Sequence, residues 1–481
     1  MKRQRDIVDQ LVSFTRRARF KRIPERVRAL AKIHIIDSVG VMLAGAASPS
    51  ARTLHCRLFA VDPGSGSEVI GIEGTWDPAL AAFANTYSAR VYDYDDVQAT
   101  ETSTYGLLTH PTAPVLAAAL AIGQSRNVSG EALLTAYLAG VEVAARLADS
   151  VDSKLLLDGL PPTATFGGIG ALLAAAKLLE LRPKAVRSAL SIWESTTARD
   201  GHAVEAPLNA TLRDAQSARM AVEAALLAAE GMTIDISALR FPSVLETLSG
   251  TTTAPPVLAT LKGPPIRKSS ATEHYILDPG FAIRIYPSHP LSHPAIDLML
   301  AIVNLHGLRP KDIKRVEVGI TRVMAEVLSL TLPTTVAELR RNLPFALALA
   351  ACDGVVAPND FDRLTKRKAL HDFMPRVHAT VDPELVDLGH ARAWTIVRVT
   401  LDNGRVIEMR TEVAKGAPQK ALIQIELFHK FYQGAFCSLD EQRAEQVLSR
   451  LWMLEEVRDV ASLFEADESW SDHADHHDHG H

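Results

Sequence analysis

The stretch VYDYDDVQATETSTYGLLTHPTAP, which begins at residue 91, contains the side chains best suited to acid–base chemistry. Asp93, Asp95 and Asp96 lie close together, and His110 and Pro111 follow where a new apolar segment begins. Pro111 predicts a helix start, whose free N–H groups and positive dipole end favour an anion. An imidazole that faces a carboxylate beside such a site is suited to proton transfer near a negatively charged substrate. The stretch indicates an active site or, alternatively, a structural turn, and Asp95 is expected to be exposed or to cap another group.

A second polar cluster lies in FAIRIYPSHPLSHPAIDLML. Arg284, Tyr286, His289 and His293 come just before an apolar helix that Pro294 opens. Each residue alone has an ordinary explanation, such as a stacked tyrosine or a capping histidine. Together they indicate a polar wall that faces an anionic group.

A third candidate is the polar segment RDGHAVEAPLNATLRDAQSAR, residues 199–219, which contains His202, Glu205 and Arg213. The ordinary interpretation of such an irregular segment is a surface loop ahead of a helix. The functional interpretation places its cationic side chains at a substrate carboxylate. A surface loop is the default interpretation for this segment.

The elements that must position these residues are mainly helices. From about residue 24 to 265 one helical pattern follows another, and prolines or Ser129 stand at their starts. Several of these helices must be buried, because they are rich in alanine and glycine and apolar nearly all round. The chain returns to helical patterns after KGAPQ. We therefore predict one all-helical domain from residues 1–267 and 417–465.

Residues 268–416, between the two helical parts, predict a smaller α+β domain. IKRVEVGI, residues 313–320, alternates as a strand does, and MPRVHATVDP is a plausible further strand. The segment WTIVRVTLDNGRVIEMRTEV, residues 394–413, predicts a hairpin in which Asn403 and Gly404 supply the positive φ angles of a two-residue turn. The predicted fold class is therefore mainly α, with a large all-helical domain and a smaller α+β domain.

The composition excludes several classes of function. Of the 481 residues, 47% are hydrophobic and 22% are charged, and a formal net charge of -5 provides no basic face for nucleic acid. The basic segment MKRQRDIVDQLVSFTRRARFKR has helical periodicity without a following apolar core, so it predicts a surface helix and not a signal peptide. No uninterrupted apolar run approaches the roughly 18–20 residues of a membrane span. We expect neither nucleic acid nor a membrane as a partner.

The cysteines indicate the compartment. Cys56, Cys352 and Cys437 are far apart and form no C-x-x-C pair. This spacing fits a reducing cytoplasm and excludes a disulfide scaffold or a cysteine zinc site. We therefore expect a cytoplasmic protein.

Two further motifs have stronger structural than functional interpretations. TFGGIGAL resembles a dinucleotide-binding loop only superficially, because the spacing is wrong and no strand precedes it, so it predicts helix packing. The aspartates and histidines of the tail, residues 466–481, could gather a divalent metal but lack a rigid frame, so a disordered tail is favoured. Those histidines are His473, His476, His477, His479 and His481. We predict no metal and no cofactor.

Taken in this order, the segments resemble the 2-methylcitrate dehydratase superfamily (MmgE/PrpD), which also contains cis-aconitate decarboxylase and iminodisuccinate epimerase. The matching segments cover nearly the whole chain and include ALAKIHIIDSVGVMLAG, FANTYSARVYDYDD, THPTAPVLAAALA, PTATFGGIGALLAAAKLL, IYPSHPLSHPAID and NLPFALALAACDG. The resemblance implies an all-helical domain built from both ends of the chain and a smaller α+β domain. It also implies a homodimer and a cofactor-free active site between the domains.

The resemblance implies roles for individual residues. Asp93 matches the family's aspartate in DYDD, His110 its histidine in THP, and Tyr286 its tyrosine, and these three are the candidate catalytic residues. The candidate substrate-binding residues, which come from the same segments and from the polar clusters, are His202, Arg213, Arg284, His293 and Thr163.

Several positions depart from the family pattern. Where the family has a catalytic histidine in GFHPTGTFG, this chain has Pro161 in GLPPTATFG. Counting back from EGMT places Ala210 at the family's catalytic lysine and Arg213 at its accompanying histidine. Val97 and Gln98 replace the threonine and the aromatic residue or histidine that usually follow DYDD. Because proline and alanine can neither transfer a proton nor bind a carboxylate, the ordinary dehydratase machinery is incomplete.

Three hypotheses follow for the function. The leading one is a lyase or isomerase that removes a proton next to a carboxylate of a small di- or tricarboxylic acid. In this hypothesis His110 is the acid/base, Asp93 orients it, and Tyr286 is the opposing acid. The first alternative is an epimerase of an amino-dicarboxylate, which needs two opposed proton carriers and no leaving group. The second is a non-catalytic relative that binds a ligand or a partner: the missing histidine and lysine favour it, and the retained Asp93, His110 and Tyr286 oppose it.

Overall fold

The computed structural model describes residues 7–59, 66–98, 109–149, 161–196, 207–234, 274–361, 367–385 and 394–466. The helices in these ranges are α1 (Ile7–Arg17), α2 (Glu25–Ala46), α3 (Pro49–Phe59), α4 (Pro78–Arg90), α5 (Thr112–Ser125), α6 (Gly130–Asp149), α7 (Gly168–Leu178), α8 (Pro183–Thr196), α9 (Pro207–Ala229), α10 (His293–His306), α11 (Arg322–Val327), α12 (Val336–Leu339), α13 (Leu343–Asp353), α14 (Lys368–Phe373), α15 (Gln424–Ala435) and α16 (Glu441–Trp452). The strands are β1 (Ser67–Glu68), β2 (Thr75–Trp76), β3 (Val97–Gln98), β4 (Phe281–Ala282), β5 (Ile313–Ile320), β6 (Val377–Val381), β7 (Thr395–Leu401) and β8 (Val406–Thr411). The histidines of the predicted tail lie outside the described residues.

The alanine-rich and glycine-rich helices form the core of the helical domain. α5 is buried along almost its whole length, and α6 and α7 along most of theirs. A Cβ on Gly140 of α6 would lie 2.7 Å from the carbonyl oxygen of Gly170 of α7, and the reverse distance is 2.6 Å. The two backbones can approach this closely only because both positions are glycine. Helices that are apolar nearly all round are buried, as their composition predicts.

The last two helices pack on the same core. Phe431 of α15 and Leu451 of α16 are fully buried in one apolar cluster with Ile35 and Val39 of α2. Both ends of the chain therefore contribute to the helical domain.

The four-stranded sheet belongs to the C-terminal half of the chain. Its order is β6-β5-β7-β8, with β5 parallel to β6 and antiparallel to β7, and with β7 and β8 forming an antiparallel hairpin. Ile296 and Met299 of α10 and Leu347 of α13 are fully buried in the same cluster as the inner strand residues. The predicted fold class, mainly α with a smaller α+β domain, is confirmed.

The hairpin predicted over residues 394–413 is present, but its turn is longer than predicted. Leu401 donates its N–H to the carbonyl oxygen of Arg405 at 2.9 Å, which leaves three residues in the loop. Gly404 has a φ of +84°, whereas Asn403 is not left-handed and accepts the Arg405 N–H on its side chain at 3.0 Å. A three-residue loop with glycine in the left-handed position is the next most common hairpin connection.

A short strand pair, β3 with β4, joins the two halves of the chain. Tyr275, Ile276, Phe281 and Ile283, which flank or form β4, lie in an apolar cluster of the helical domain. Tyr286 instead belongs to the core of the α+β domain. The helical core therefore extends beyond residue 267, the boundary predicted from the sequence.

α2 is both long and apolar. Its mean hydropathy reaches 1.5 over 18 residues, so by length and composition it could cross a membrane. However, 78% of that stretch is buried within the protein, and the helix carries the buried polar residues His34 and Asp37. These properties are typical of a core helix.

Candidate functional site

The first candidate segment follows the end of α4. The carboxylate of Asp77 caps the start of this helix by accepting the N–H of Ala79 at 2.9 Å, and Pro78 occupies the first turn. The helix ends at Arg90, and Asp93 then adopts a φ of +53°, in the left-handed region that residues other than glycine rarely occupy. This turn keeps the aspartates close to Arg90.

The pairing of β3 with β4 brings the second candidate segment to the first. The strands are antiparallel, with Val97 opposite Ala282, and continuing this register by two residues places Arg284 opposite Asp95. The Nε of Arg284 indeed donates to the carbonyl oxygen of Asp95 at 2.6 Å. Its Nη1 donates to the carboxylate of Asp93 and its Nη2 to that of Asp95, both at 2.5 Å. One arginine therefore bonds both aspartates.

Arg90 completes a buried group that we call the charge cluster: Arg90, Asp93, Asp95, Asp214 and Arg284. The Nη1 of Arg90 donates to both carboxylate oxygens of Asp95, at 2.9 and 3.0 Å, and its Nε donates to Asp214 of α9 at 2.9 Å. Asp95 is fully buried and Arg284 is 1% exposed, whereas the side chain of Asp93 is 27% exposed. Asp93 is therefore the most accessible carboxylate of the cluster.

The arginines keep two of these carboxylates ionised. Burial alone would raise the pKa of Asp93 and of Asp95, but the positive charges of Arg284 and Arg90 hold both pKa values well below the ordinary value. At Asp214 burial prevails, and its pKa is raised despite the contact with Arg90. The cluster therefore presents fixed negative charges at Asp93 and Asp95 at neutral pH.

His110 lies against the charge cluster just before α5. Its Nδ1 is 3.2 Å from Asp95 Oδ2 and 2.9 Å from the carbonyl oxygen of Asp96, and its backbone N–H donates to Thr163 Oγ1 at 3.1 Å. Arg284 Nη2, 3.3 Å away, is itself a donor, so the two oxygens favour the tautomer with the proton on Nδ1. Nε2 then carries a lone pair and is the atom that can accept a proton from a substrate.

This geometry corrects three expectations. The prediction that Asp95 is exposed is wrong, because Asp95 is the fully buried centre of the charge cluster. The carboxylate in contact with His110 is that of Asp95, and not that of Asp93 as predicted. Arg284, predicted to hold a substrate carboxylate, donates from Nε, Nη1 and Nη2 to the protein's own aspartates.

The two histidines of the second segment are neutral at pH 7. Burial lowers the pKa of His293 to about 3, with the charge of Arg284 acting in the same direction, and burial also lowers the pKa of His289 to about 3. The Nε2 of His293 donates to the carbonyl oxygen of Ser288 at 3.2 Å, so its Nδ1 is an acceptor. The Nδ1 of His289 accepts the N–H of Leu291 at 3.3 Å, so its Nε2 is a donor. His289 can therefore donate to a carboxylate, whereas His293, the predicted binding residue, offers a lone pair.

Tyr286 lies at the edge of the α+β core. Its hydroxyl donates to Asp297 Oδ1 at 2.8 Å, and its ring meets the edge of the His293 ring at a centroid distance of 5.2 Å. Burial and the charge of Asp297 raise the pKa of Tyr286 above its ordinary value. Asp297 also accepts the backbone N–H of Lys415 at 2.7 Å. Tyr286 stays protonated, and it can act as the predicted opposing acid only when its hydroxyl leaves Asp297.

Thr163 opens a π-helical turn, Thr163–Gly167, that leads into α7. Such turns are frequent at functional sites. Because the Thr163 hydroxyl accepts the backbone N–H of His110, its role in this structure is to position the histidine. Pro161 is partly exposed two residues earlier, and its carbonyl oxygen accepts the N–H of Thr165 at 2.9 Å. Pro161, the position at which the resemblance implies a histidine, is therefore two residues from Thr163, which positions His110.

The first turns of α9 approach the charge cluster from another side. Ala210 and Arg213 are both partly exposed there. Asp214 comes one turn after Ala210 and bonds Arg90, and residues four apart share a helix face. Ala210 therefore lies on the face directed toward the charge cluster. His202 lies outside the described residues.

Asp96 has a separate set of partners in the helical core. Its Oδ2 is 2.9 Å from His34 Nδ1 of α2 and accepts the hydroxyl of Thr112 of α5 at 2.5 Å. The Thr112 hydroxyl is also 2.9 Å from that of Tyr137 of α6. Asp96 therefore connects the segment after α4 directly with α2 and α5 and, through Thr112, with α6.

Sequence reasoning missed Arg90, Asp214 and His34. Arg90 comes three residues before Asp93 at a predicted helix end, so the local charge spacing was a usable signal. Asp214 stands next to Arg213 in the third candidate segment, but nothing in that segment indicates a partner 124 residues away. His34 lies in an apolar helix, where a histidine has no distinguishing pattern.

The part of the chain that the structure describes contains no group of three His, Cys, Asp or Glu residues that could hold a metal ion. The charge cluster has two arginines among its carboxylates, which is unsuited to a cation site. Proton transfer by side chains is the chemistry that the arrangement supports.

Comparisons with known proteins identify the family of the chain. Residues 9–239 match the model of the MmgE/PrpD N-terminal domain, and residues 286–454 match that of the MmgE/PrpD C-terminal domain. The chain belongs to the MmgE/PrpD family, whose activities are of the dehydratase and decarboxylase type. Cis-aconitate decarboxylase of Homo sapiens is 26% identical over 408 residues, which cover 80% of this chain and 78% of the human protein. Cis-aconitate decarboxylase of Mus musculus is 24% identical over 453 residues, which cover 89% and 86%.

Proposed function

We propose that the protein is a cofactor-independent lyase or isomerase that removes a proton next to a carboxylate of a small di- or tricarboxylic acid. The contact of His110 with Asp95 carries this proposal, because it fixes a tautomer in which Nε2 can act as a base. Membership of the MmgE/PrpD family and the similarity to two cis-aconitate decarboxylases support the class of reaction.

In the proposed reaction, His110 Nε2 takes the proton, and the electron pair of the broken C–H bond moves toward the adjacent carboxylate. The imidazolium that forms is stabilised by the ionised Asp95, 3.2 Å from Nδ1. Transfer of this proton from the imidazolium to a neighbouring hydroxyl, which leaves as water while the C=C bond forms, would complete a dehydration. Return of a proton to the opposite face would instead complete an epimerisation.

The surrounding groups suit different parts of such a substrate. We assign carboxylate binding to the N-terminal end of α5, to the Nε2–H of His289 and to Arg213. The ionised Asp93, 27% exposed, would repel a carboxylate and suits a substrate hydroxyl or ammonium group.

One observation favours the epimerase as the alternative. The charges of Asp93 and Arg284 act on His293, so these three side chains lie near one another. The Nδ1 lone pair of His293 belongs to the α+β domain, whereas His110 belongs to the helical domain. These two imidazoles on different domains could provide the opposed proton carriers that an epimerase needs, one accepting a proton through its lone pair and the other, in its protonated form, returning one to the opposite face. An ammonium group on the substrate would also suit Asp93.

A non-catalytic, ligand-binding relative is the remaining alternative. Pro161 and Ala210 favour it, because they remove two proton-transferring or charged side chains that the family resemblance implies. The fixed tautomer of His110 opposes it, since a binding protein does not need a free imidazole nitrogen beside a buried carboxylate.

A screen of citrate-like, aconitate-like and amino-dicarboxylate compounds in D₂O tests these alternatives. Elimination forms a new alkene, and epimerisation incorporates deuterium without forming one. A binding protein gives neither result, but shifts its thermal midpoint when a ligand is added. Absence of both turnover and exchange across the panel would refute the catalytic proposal.

We also propose a homodimer that forms through the helical domain. Large apolar side chains are exposed on and beside the last two helices, which supports this proposal. Ile425 in α15 is 71% exposed, Phe436 just after α15 is 53% exposed, and Met453 just after α16 is 44% exposed. Tyr432 stacks on Phe436 at a ring centroid distance of 5.4 Å, which extends this apolar surface. Exposed apolar surface of this kind is typical of protein interfaces.

A further inference from the structure

α15 contacts the first candidate segment through Lys430. The Nζ of Lys430 donates to the carbonyl oxygen of Tyr94 at 3.0 Å, although the two residues are 336 positions apart. Tyr94 stands between Asp93 and Asp95 in the chain. Lys430 is only 5% exposed, and the proposed reaction does not use its ammonium group.

Two further groups hold this ammonium in place. Asp37 of α2 lies 2.6 Å from Nζ through Oδ1 and is 1% exposed. The ring of Tyr94 lies beneath the same nitrogen, 4.2 Å away at its centroid, within the range of a cation–π contact. A buried lysine is costly unless it is paired, so its retention beside the aspartates needs an explanation.

The packing of the two helices fixes where Lys430 meets Asp37. Asp37 and Lys430 each come about one turn before a glycine, Gly40 in α2 and Gly434 in α15. The helices touch at these glycines, because a Cβ on Gly434 would collide with the carbonyl oxygen of Gly40. The position of the ammonium is therefore set by backbone contact and not by a flexible side chain alone.

We propose that Lys430 is a positioning residue that fixes the Tyr94 carbonyl and thereby the peptide segment carrying Asp93 and Asp95. Asp93 is held in a left-handed conformation, which persists only where surrounding contacts determine it. Arg284, which follows β4, binds the carboxylates of the segment, and Lys430 of α15 binds its backbone. The effect on turnover rests on the proposed function, whereas the effect on the geometry of His110 does not.

The test compares four forms of the full chain: wild type, Lys430→Met, Asp37→Asn/Lys430→Met and Lys177→Met. Methionine keeps the length of the lysine stem without its charge, and the double variant leaves no unpaired buried carboxylate. Lys177 is the matched control, because its Nζ also donates to main-chain carbonyls of the helical domain, those of Thr15 and Ala18, at 3.2 and 3.0 Å.

Two measurements are made on each form. ¹⁵N NMR of histidine-labelled protein reports the tautomer of His110, whose signals are identified with a His110→Gln variant. Steady-state kinetics on whichever compound of the D₂O panel is turned over give kcat and KM separately. We expect mixed tautomers at His110 and a kcat lowered roughly 10- to 100-fold, with KM within about threefold of wild type, in both Lys430 variants. Lys177→Met should change neither quantity.

The outcomes separate the two proposals. Unchanged His110 signals in folded Lys430→Met protein would overturn the positioning role, whatever the kinetics show. A wild type that turns over no compound would refute the proposed function, while the NMR comparison would still decide the role of Lys430. If Lys430→Met does not fold, the double variant decides in its place, and equal losses in Lys177→Met would show a merely structural effect.

Discussion

Asp95→Asn is the substitution for which the structure gives the most specific expectation. Asparagine keeps the shape of the side chain but removes its charge. In the wild type the carboxylate of Asp95 accepts bonds from Arg90 and Arg284 and lies 3.2 Å from His110 Nδ1. In the variant, the positive charges of two buried guanidinium groups are therefore less well balanced by negative charge. The variant also lacks the carboxylate that holds the imidazole.

The magnitude follows from burial. Removing one partner of a fully buried ion pair costs about 3–5 kcal/mol of unfolding free energy. Asp93→Asn removes one charge-assisted hydrogen bond, from Arg284, at a carboxylate that is 27% exposed, so we expect a loss of about 1–2 kcal/mol. Loss of the carboxylate that orients a catalytic imidazole lowers turnover by up to about 10⁴-fold. Asp95→Asn should therefore have the larger effect on both properties.

Urea denaturation followed by circular dichroism at pH 7, with turnover of the compound found in the panel, measures both quantities. Asp93→Asn is the matched control, because it makes the same chemical change two residues away in the same cluster. If Asp93→Asn costs as much stability as Asp95→Asn, or more, the assignment of Asp95 as the buried centre of the charge cluster and the partner of His110 is wrong.

Three further predictions test separate parts of the account. His293 has a pKa of about 3 in the folded protein and an ordinary value near 6.5 when unfolded, so between these pH values only the unfolded chain takes up its proton. His293→Gln should therefore remove about 1.6 kcal/mol of the stability lost between pH 6.5 and 5, measured by urea denaturation at both pH values. An unchanged pH slope would contradict this. Pro161→His/Ala210→Lys should introduce dehydration of 2-methylcitrate or citrate, or tighter binding of a tricarboxylate, because Ala210 is partly exposed and faces the charge cluster. Severe destabilisation by Ala210→Lys, or vigorous dehydration by the wild type, would show that the positions are misassigned. Sedimentation at micromolar concentration should show a dimer that Phe436→Asp weakens at least about tenfold, and a stable wild-type monomer would refute the proposed interface.

The strands of the α+β domain could be predicted from the sequence because their signal is local. β5 covers Ile313–Ile320, the residues of the predicted strand, since apolar and polar side chains alternate there. β6, at Val377–Val381, lies inside the segment predicted as a further strand. The turn between β7 and β8 was less predictable, because Asn403-Gly404 suits both two-residue and three-residue loops.

The site was only partly predictable, because its decisive contacts are distant in sequence. Asp93, His110, Arg284 and His293 do come together, as their residue types indicate. Which aspartate meets His110 depends on the register of β3 with β4, and strands of two residues have no detectable pattern. Lys430 was not predictable, since its helix pattern indicates only an amphipathic surface helix.

Solvent exchange with His110→Ala tests the central claim most directly. The wild type and the variant, shown to be equally folded by circular dichroism, are incubated in D₂O with the compound of the panel that exchanges fastest. The rate of proton removal should fall on the order of 100-fold or more in the variant, because Nε2 of His110 is the base. Near-normal exchange in the folded variant would contradict that assignment and show that another group removes the proton.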